Sequence, residues 1–223
     1  DQYQSYIQES GEAEVLNDCY PFDSQNMRQQ FFREGRTFNM LITQAAHMPY
    51  NYGDSMSRYA LERHPEYYGA NGSEEEDCIR AKARLVDDTF ARLLDELEQE
   101  GLLENTVIVA LSDHYPYGYT NTEQLLEYSC GTDLLCLDNT PCFIWSADIM
   151  PMTVSKTLNT SDLFPTILNL LGIDPEYQYL GEDAFDPNYT GYAFFTDGSW
   201  ASEGVLCRKN IAEFIGAKAE EIF

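Results

Sequence analysis

Basic residues are scarce in this chain. Lys and Arg total 13 against 38 Asp and Glu, a formal net charge of −25 over 223 residues. A field of that sign disfavours the phosphate backbone of nucleic acid and the surface of anionic lipid. Long apolar runs are missing too: no stretch approaches the about 20 residues that a membrane-crossing helix needs. The opening segment, Asp1 to Ser10, is polar and has no basic part, so it does not read as a secretory leader. The absence of any CxxC pair argues against a structural zinc site. No GxSxG elbow, Walker loop or GxGxxG occurs, which removes the commonest hydrolase and nucleotide signatures. Histidine is limited to His47, His64 and His114.

What is present is a chain that should fold. Hydrophobic residues make up 43% and aromatics 13%, with 16 Tyr and 12 Phe, unlike a disordered acidic tail. The length suits one domain with a sizeable core. Of the six cysteines, Cys130 and Cys136 bracket a short segment and can bridge, but six independent thiols is the favoured reading.

Residues 1–36 form an irregular lead-in with a short helix near Asp23–Arg36. Phe38–Thr43 (FNMLIT) predicts a buried strand, followed by a loop, Gln44–Ser57. A long helix is expected from about Glu74 to Glu100. Ser73 and Glu76 make an S-x-x-E capping box, Ile79, Val86, Phe90, Leu93 and Leu97 an apolar stripe, and Gly101 the C-terminal cap. The basic cluster Arg80, Lys82 and Arg84 is assigned to its wet face, and His64 to solvent. Val107–Leu111 (VIVAL) predicts a central strand and Pro141–Trp145 another. Thr160-Ser161-Asp162 opens a second helix, Leu163–Leu171, closed by Gly172. The tail carries short aromatic strand-like pieces, forming a small antiparallel sheet, and a terminal helix from about Asn210. This alternation predicts an α/β fold: a mostly parallel sheet flanked by helices over 37–175, then C-terminal strands and a helix over 176–223.

Asp113 and His114 follow the VIVAL strand directly, at the end where open α/β sheets bind ligands. A carboxylate and an imidazole side by side suit zinc or manganese, provided that the chain is already turning, since successive strand residues face opposite ways. The alternative, a cap Asp beside a partly buried His, is favoured on the dipeptide alone. His47 can hold a phosphate or protonate a leaving group, or simply bond backbone, and the residues leave this even. Tyr115, Tyr117 and Tyr119 either line a substrate groove or pack over the sheet edge.

The order of motifs is more telling than any one of them. Leu93-Leu94, Leu97, Gly101-Leu102, Asn105-Thr106-Val107-Ile108-Val109 and Ser112-Asp113-His114 resemble the sulfatase branch of the alkaline phosphatase superfamily. The segment Ser161–Gly172 (SDLFPTILNLLG) is similar to that family's D-x-x-P-T-[IL]-L-x-L-x-G helix, and Gly181–Phe185 (GEDAF) to the G-x-D-L-F that follows it. Within the family, Asp113–Gly118 (DHYPYG), Leu41–Tyr50 (LITQAAHMPY) and Phe195–Trp200 (FTDGSW) resemble the lipoteichoic acid synthase type of membrane-anchored phosphoglycerol transferase. The resemblance covers roughly residues 20–200.

The resemblance implies a reaction. A Thr nucleophile attacks a phosphodiester of an anionic glycerophospholipid, aided by a divalent cation, usually manganese, with zinc or magnesium as alternatives. The phosphoglycerol group then passes from the enzyme to an acceptor outside the cell. Asp113 and His114 match two metal ligands, and His47 matches a His that contacts phosphate or glycerol; Tyr115 and Tyr117 would line the substrate groove. The family's Glu ligand and its Thr nucleophile belong upstream of the His47 motif, and this chain has no match for them there. Gln8-Glu9-Ser10 resembles the Glu position only by coincidence. The chain is therefore expected to be the C-terminal portion of one catalytic domain, inactive alone and paired natively with a missing N-terminal half. Full-length protein would be membrane-anchored on the outer face of a bacterial cell, and the fragment itself soluble. An exposed sheet edge would favour non-native dimers. A sulfatase or phosphodiesterase of the same superfamily, or a non-catalytic module with this fold, are the alternatives. The sulfatase C-x-[PA]-x-R segment is not matched by Cys78–Lys82 or Cys142–Trp145.

Overall fold

A computed structural model describes residues 18–129, 137–174 and 176–207. The Gln8-Glu9-Ser10 segment, the Cys130–Cys136 pair and the expected helix from Asn210 lie outside the described residues. The chain divides into two compact units, residues 1–149 and 150–223.

In the first unit, helix α1 (Tyr20–Asp23) lies in the stretch expected to be irregular, and helix α2 (Gln25–Phe31) is the short helix expected near Asp23–Arg36. Ser24 caps α2 by accepting from the Met27 amide. Phe22, Phe31 and Phe32 pack edge to face, with the Phe22 and Phe31 rings 5.5 Å apart. Helix α3 (Ser55–Arg63) starts at Asp54, whose carboxylate accepts from the Ser57 amide at 2.8 Å. Helix α4 (Glu74–Gln99) is the longest element. Gly101, at φ +68°, ends it: the Leu102 amide reaches back to the Leu97 carbonyl at 2.8 Å.

Phe38–Thr43 is not a buried strand. No described segment pairs with it, so its alternate side chains Phe38, Met40 and Ile42 stand 89%, 76% and 65% exposed. Strand β1 (Ile108–Leu111) is followed by helix α5 (Thr122–Ser129) and strand β2 (Cys142–Trp145). The parallel sheet expected from the alternation is not what these strands form: β1 and β2 are antiparallel, with Ile108 opposite Trp145 and Leu111 opposite Cys142. The reason is in the connection. A parallel crossover returns the chain to the end where the first strand began, whereas β2 starts beside the end of β1. Both strands are partly exposed, so neither is a central strand among the described residues.

The face that α4 buries is rotated from the expected stripe. Cys78, Ala81, Lys82, Leu85 and Thr89 are all buried, at i, i+3, i+4, i+7 and i+11. Of the expected stripe only Leu97 is fully buried; Phe90 leans on Phe143 of β2, ring centroids 5.4 Å apart. Lys82, assigned above to the wet face, is fully buried. His64, assigned to solvent, bonds Asp88 Oδ2 through Nε2 at 2.7 Å, which ties the end of α3 to α4.

The first turn of α4 carries Glu74, Glu75, Glu76 and Asp77, favourably placed for the helix dipole. Ser73 makes its half of the capping box, accepting from the Glu76 amide. The Glu76 carboxylate does not return the bond. Buried at 2% exposure, it accepts from Tyr119 Oη at 2.5 Å, from Tyr128 Oη at 2.8 Å and from the Arg80 guanidinium. Asp77 accepts from Tyr52 Oη at 2.6 Å, the Gly69 amide at 2.6 Å and the Asn71 amide at 2.9 Å. The hydrogen bond to Asp77, with burial behind it, pushes the Tyr52 phenol up to about 12.

In the second unit the chain enters helix α6 (Leu163–Leu170) through a 3-10 turn, Thr160–Asp162, capped by Asn159. Buried Asp162 accepts from the Asn159 amide at 2.8 Å, the Glu182 amide at 2.9 Å and Tyr189 Oη at 3.1 Å. Thr166 Oγ1 accepts from the Ala184 amide at 2.9 Å. A Cβ on Gly181 would stand 2.1 Å from the Ser161 carbonyl oxygen, so the GEDAF segment can lie against α6 only with glycine there. The expected C-terminal antiparallel sheet is present as β3 (Ala193–Phe194), β4 (Trp200–Ser202) and β5 (Val205–Cys207). Its middle strand, β4, was not anticipated.

Among the described residues, Cys78, Cys142 and Cys207 are free thiols. No described helix is long and apolar enough to cross a membrane.

The carboxylates of α4 set a pH dependence. Burial opposes the charge of Glu76 and of Asp77, but hydrogen bonds to each outweigh it and hold both below the usual carboxylate range. A group with a lowered folded value contributes stability that is full above its unfolded value and is lost as pH falls through the folded one. The urea midpoint should therefore fall on acidification below about pH 4. Tyr119→Phe should cost about 1–3 kcal/mol and, by bringing the folded value of Glu76 closer to its unfolded one, shrink the part of the stability that acidification removes; an unchanged loss on acidification would contradict the Tyr119–Glu76 bond.

Candidate active site

Two loops of the first unit meet at the candidate site. One follows β1. After Leu111 the Ser112 amide makes a last contact to the Pro141 carbonyl, at 3.4 Å, and the chain then turns sharply. Ser112 Oγ donates to the His114 carbonyl at 2.6 Å, and the His114 amide donates to Asp113 Oδ1 at 3.0 Å. The Tyr117 amide donates to the Tyr115 carbonyl at 2.8 Å. That turning meets the condition set by strand alternation, because the Asp113 and His114 side chains come to one side. His114 Nε2 lies 3.4 Å from Asp113 Oδ2.

The other loop runs through 44–53. Its entry is fixed by buried Asp18, which accepts from the Gln44 and Ala45 amides at 2.7 and 3.0 Å. The His47 amide closes a turn on the Gln44 carbonyl at 3.0 Å, and the Met48–Pro49 peptide is cis. His47 is exposed, with Nδ1 2.8 Å from the Met48 carbonyl.

Three features bring the loops together. Gly118 packs against Met48: a Cβ there would stand 2.3 Å from Met48 Sδ and 3.0 Å from Met48 Cβ. Tyr50 and Tyr119 meet in the core, ring centroids 6.4 Å apart and both buried. Helix α4 grips each loop separately. Glu75 accepts from the Thr120 amide at 2.8 Å and its hydroxyl at 2.7 Å, while Glu76 takes Tyr119. On the other side Lys82 donates to the His47 and Pro49 carbonyls, each at 2.8 Å.

The structure thus places His47, Asp113, His114, Tyr115 and Tyr117 on loops that touch. The Tyr117 ring lies 4.6 Å from that of His114 and 6.3 Å from that of Tyr115. Tyr117 is 53% exposed, whereas Tyr115 packs partly against the core and Tyr119 is buried within it. Of the three tyrosines, then, Tyr119 is structural. Burial and its bond to Glu76 raise its phenol well above the usual range, so it stays a hydrogen-bond donor.

The donor set at Asp113 and His114 fits part of a divalent-cation site. His114 Nδ1 sits 2.7 Å from the Tyr115 carbonyl. In a neutral ring that contact assigns the hydrogen to Nδ1 and leaves Nε2 as the lone-pair nitrogen, beside a carboxylate oxygen. A metal-ligating imidazole uses its second nitrogen in the same way. Among the described residues no group of three or more His, Cys, Asp and Glu is arranged to hold a metal, so the described part offers no more than this pair. The two cations of α4 whose partners reach these loops are committed: Arg80 pairs with Glu76 and Lys82 with Asp54.

Sequence reasoning missed residues that build this site, among them Asp18, Glu75, Glu76 and Lys82. For Lys82 a signal existed. It stands at i+4 from Cys78 and between Ala81 and Leu85, on a small-and-apolar face that a solvated lysine would interrupt. Glu76 was read as a cap because the local pattern explained it fully.

Gly118→Ala should push Met48 away and cost about 1–3 kcal/mol of stability. Met48→Ala in the same chain should recover most of that loss, a coupling that urea denaturation of the double-mutant cycle measures. Simple additivity would contradict the contact.

Comparison with known proteins agrees with the motif order. The chain is 23% identical to lipoteichoic acid synthase 2 of Bacillus subtilis over 171 residues, 74% of this chain and 25% of that protein. It is 26% identical to the lipoteichoic acid synthase of Staphylococcus saprophyticus over 190 residues, 78% of this chain and 28% of that one. The lipoteichoic acid synthase-like protein YvgJ of Bacillus subtilis is 26% identical over 136 residues, 57% of this chain and 22% of its own. The chain thus spans about a quarter of the length of these relatives. The sulfatase family model matches residues 25–173, well over half of the chain and inclusive of both loops of the site, so the chain belongs to the sulfatase family.

Proposed function

We propose that this chain is part of a divalent-cation-dependent phosphoglycerol transferase acting on the phosphodiester of an anionic glycerophospholipid at the outer face of a bacterial membrane. The observation that carries the reading is the Asp113–His114 pair. A carboxylate oxygen and an imidazole nitrogen lie 3.4 Å apart at the end of β1, in a chain whose relatives are named lipoteichoic acid synthases.

The roles follow from the geometry. Asp113 Oδ2 and His114 Nε2 would hold the cation, with manganese the first candidate and zinc or magnesium the others. A bound cation supplies Lewis-acid neutralisation of charge at a phosphoryl oxygen. The Tyr115 carbonyl fixes the His114 ring. His47, on the touching loop, contacts the phosphate or the glycerol and, once its ring is protonated at both nitrogens, can hand a proton to a leaving oxygen through Nε2. The exposed ring of Tyr117 and the partly packed ring of Tyr115 wall the groove. The reading also calls for a Thr nucleophile and further metal ligands, which the described residues around this pair do not supply. Attraction of an anionic lipid falls to the cation and the imidazoles, because a net charge of −25 repels it.

Manganese added to the 223-residue chain should broaden the NMR signals of His114 at concentrations that leave His64, held by Asp88, sharp. Asp113→Ala should remove the selectivity. In protein extended to the whole catalytic domain, Asp113→Ala or His114→Ala should cut manganese-dependent release of phosphoglycerol from phosphatidylglycerol at least about 1,000-fold, equivalent to about 4 kcal/mol. Retained turnover, or equal broadening of His64 and His114, would overturn the reading. Hydrolysis of a sulfate ester in its place would favour the sulfatase alternative.

A further inference from the structure

Lys82 is fully buried and yet lies among loop carbonyls, not beside a ligand. Its ammonium has three hydrogens and three oxygens around it: the carbonyls of His47 and Pro49, each at 2.8 Å, and Asp54 Oδ2 at 2.9 Å. The Tyr50 ring lies beneath it, 5.5 Å from Nζ to the centroid.

The positions of those carbonyls carry the argument. A lysine needed only to neutralise Asp54 has no reason to take the two carbonyls that flank Met48. Between them the Met48 carbonyl is the one left over, and it is the partner of the His47 imidazole, through Nδ1 at 2.8 Å. Three successive carbonyls are therefore shared out: the outer two to Lys82 and the middle one to the ring. Fixing the outer two orients the middle one, and the middle one decides which imidazole nitrogen carries the hydrogen.

We propose that Lys82 is a positioning residue for His47: by holding the His47 and Pro49 carbonyls, its ammonium aims the Met48 carbonyl at Nδ1 and keeps Nε2 as the lone-pair nitrogen that accepts from a glycerol hydroxyl of the substrate. This rests on reading His47 as the imidazole that touches substrate. It assigns Lys82 no contact with substrate of its own.

Nitrogen-15 NMR of the imidazoles in the 223-residue chain tests it, since only three histidines are present. In the unaltered chain His47 should show the single tautomer protonated at Nδ1. In Lys82→Met, which keeps the apolar stem and removes the donors, His47 should shift towards the Nε2-protonated form that a free imidazole prefers. His64, held by Asp88, and His114, held by the Tyr115 carbonyl, should keep their signatures. An unchanged His47 in the folded variant overturns the proposal. So does a common change at all three rings, which would mark Lys82 as a residue of the fold alone. Should Lys82→Met not fold, the unaltered chain decides. Scalar couplings across the hydrogen bonds from Lys82 Nζ to the carbonyl carbons of both His47 and Pro49 support the proposal, and the absence of either overturns it. Glycerol 1-phosphate with magnesium, added to the unaltered chain, tests the underlying reading separately. A shift confined to His47 supports it, and no shift removes the role in substrate contact while leaving the tautomer result intact.

Discussion

Charge buried on a helix has to be answered by whatever packs against it. Helix α4 buries Glu76, Asp77 and Lys82 on the side that a simple amphipathic helix would fill with leucine. Of the facing helices only α5 supplies a partner, Tyr128 to Glu76; the other partners from elsewhere in the chain include tyrosine hydroxyls, backbone amides, backbone carbonyls and the Asp54 carboxylate outside the helices, and so the loops are held where the charges are. Leaving any of these charges unanswered costs far more than a surface pair is worth. The need to satisfy them fixes loop conformations that sequence length alone would leave free. The site is a consequence: the His47 loop hangs from Lys82, the loop after Asp113 and His114 hangs from Glu75 and Glu76, and the two touch at Met48 and Gly118.

The division of labour between charge and chemistry follows. The acidic and basic side chains that are deepest in the first unit build its frame, and the side chains that can act on a ligand are exposed. Asp113 has 84% of its side chain in solvent and His114 43%. Exposure suits groups that must be desolvated by a cation or a substrate and not by the protein. The second unit uses the same device for a different end. Asp162 and Thr166, in the D-x-x-P-T helix, accept amides of the GEDAF segment, and Gly181 lets the two backbones approach. The motif that carried much of the family resemblance is a structural clamp.

What could be read from the sequence was local or ordered along the chain. Ser73 and Gly101 mark the ends of α4 because caps are made by neighbours in sequence. The Asp-His pair, the His47 motif and their order gave the family, which the family model bears out over residues 25–173. Strand direction was not legible, since alternation of strand and helix does not say at which end β2 begins; the register of Leu111 with Cys142 does. Burial of Phe38–Thr43 was not legible either, because an apolar alternation promises a buried face only where another segment lies beside it. Lys82 and Glu76 were misassigned for a shared reason. Each had a sufficient local explanation, a wet helical face or a capping box, and the partners that displaced it stand 28 to 52 residues away along the chain.

The central claim is that α4 holds the His47 loop and the Asp113–His114 loop in contact. The most direct measurement is a nuclear Overhauser contact between the Met48 methyl and the Gly118 α-protons in the isotope-labelled chain. The account predicts a strong cross-peak, retained when the solvent-facing Arg84 is replaced and weakened when Glu76 is replaced by Gln. Its absence from the unaltered chain, with the Tyr119–Glu76 contact intact, would contradict the claim that these loops form one site.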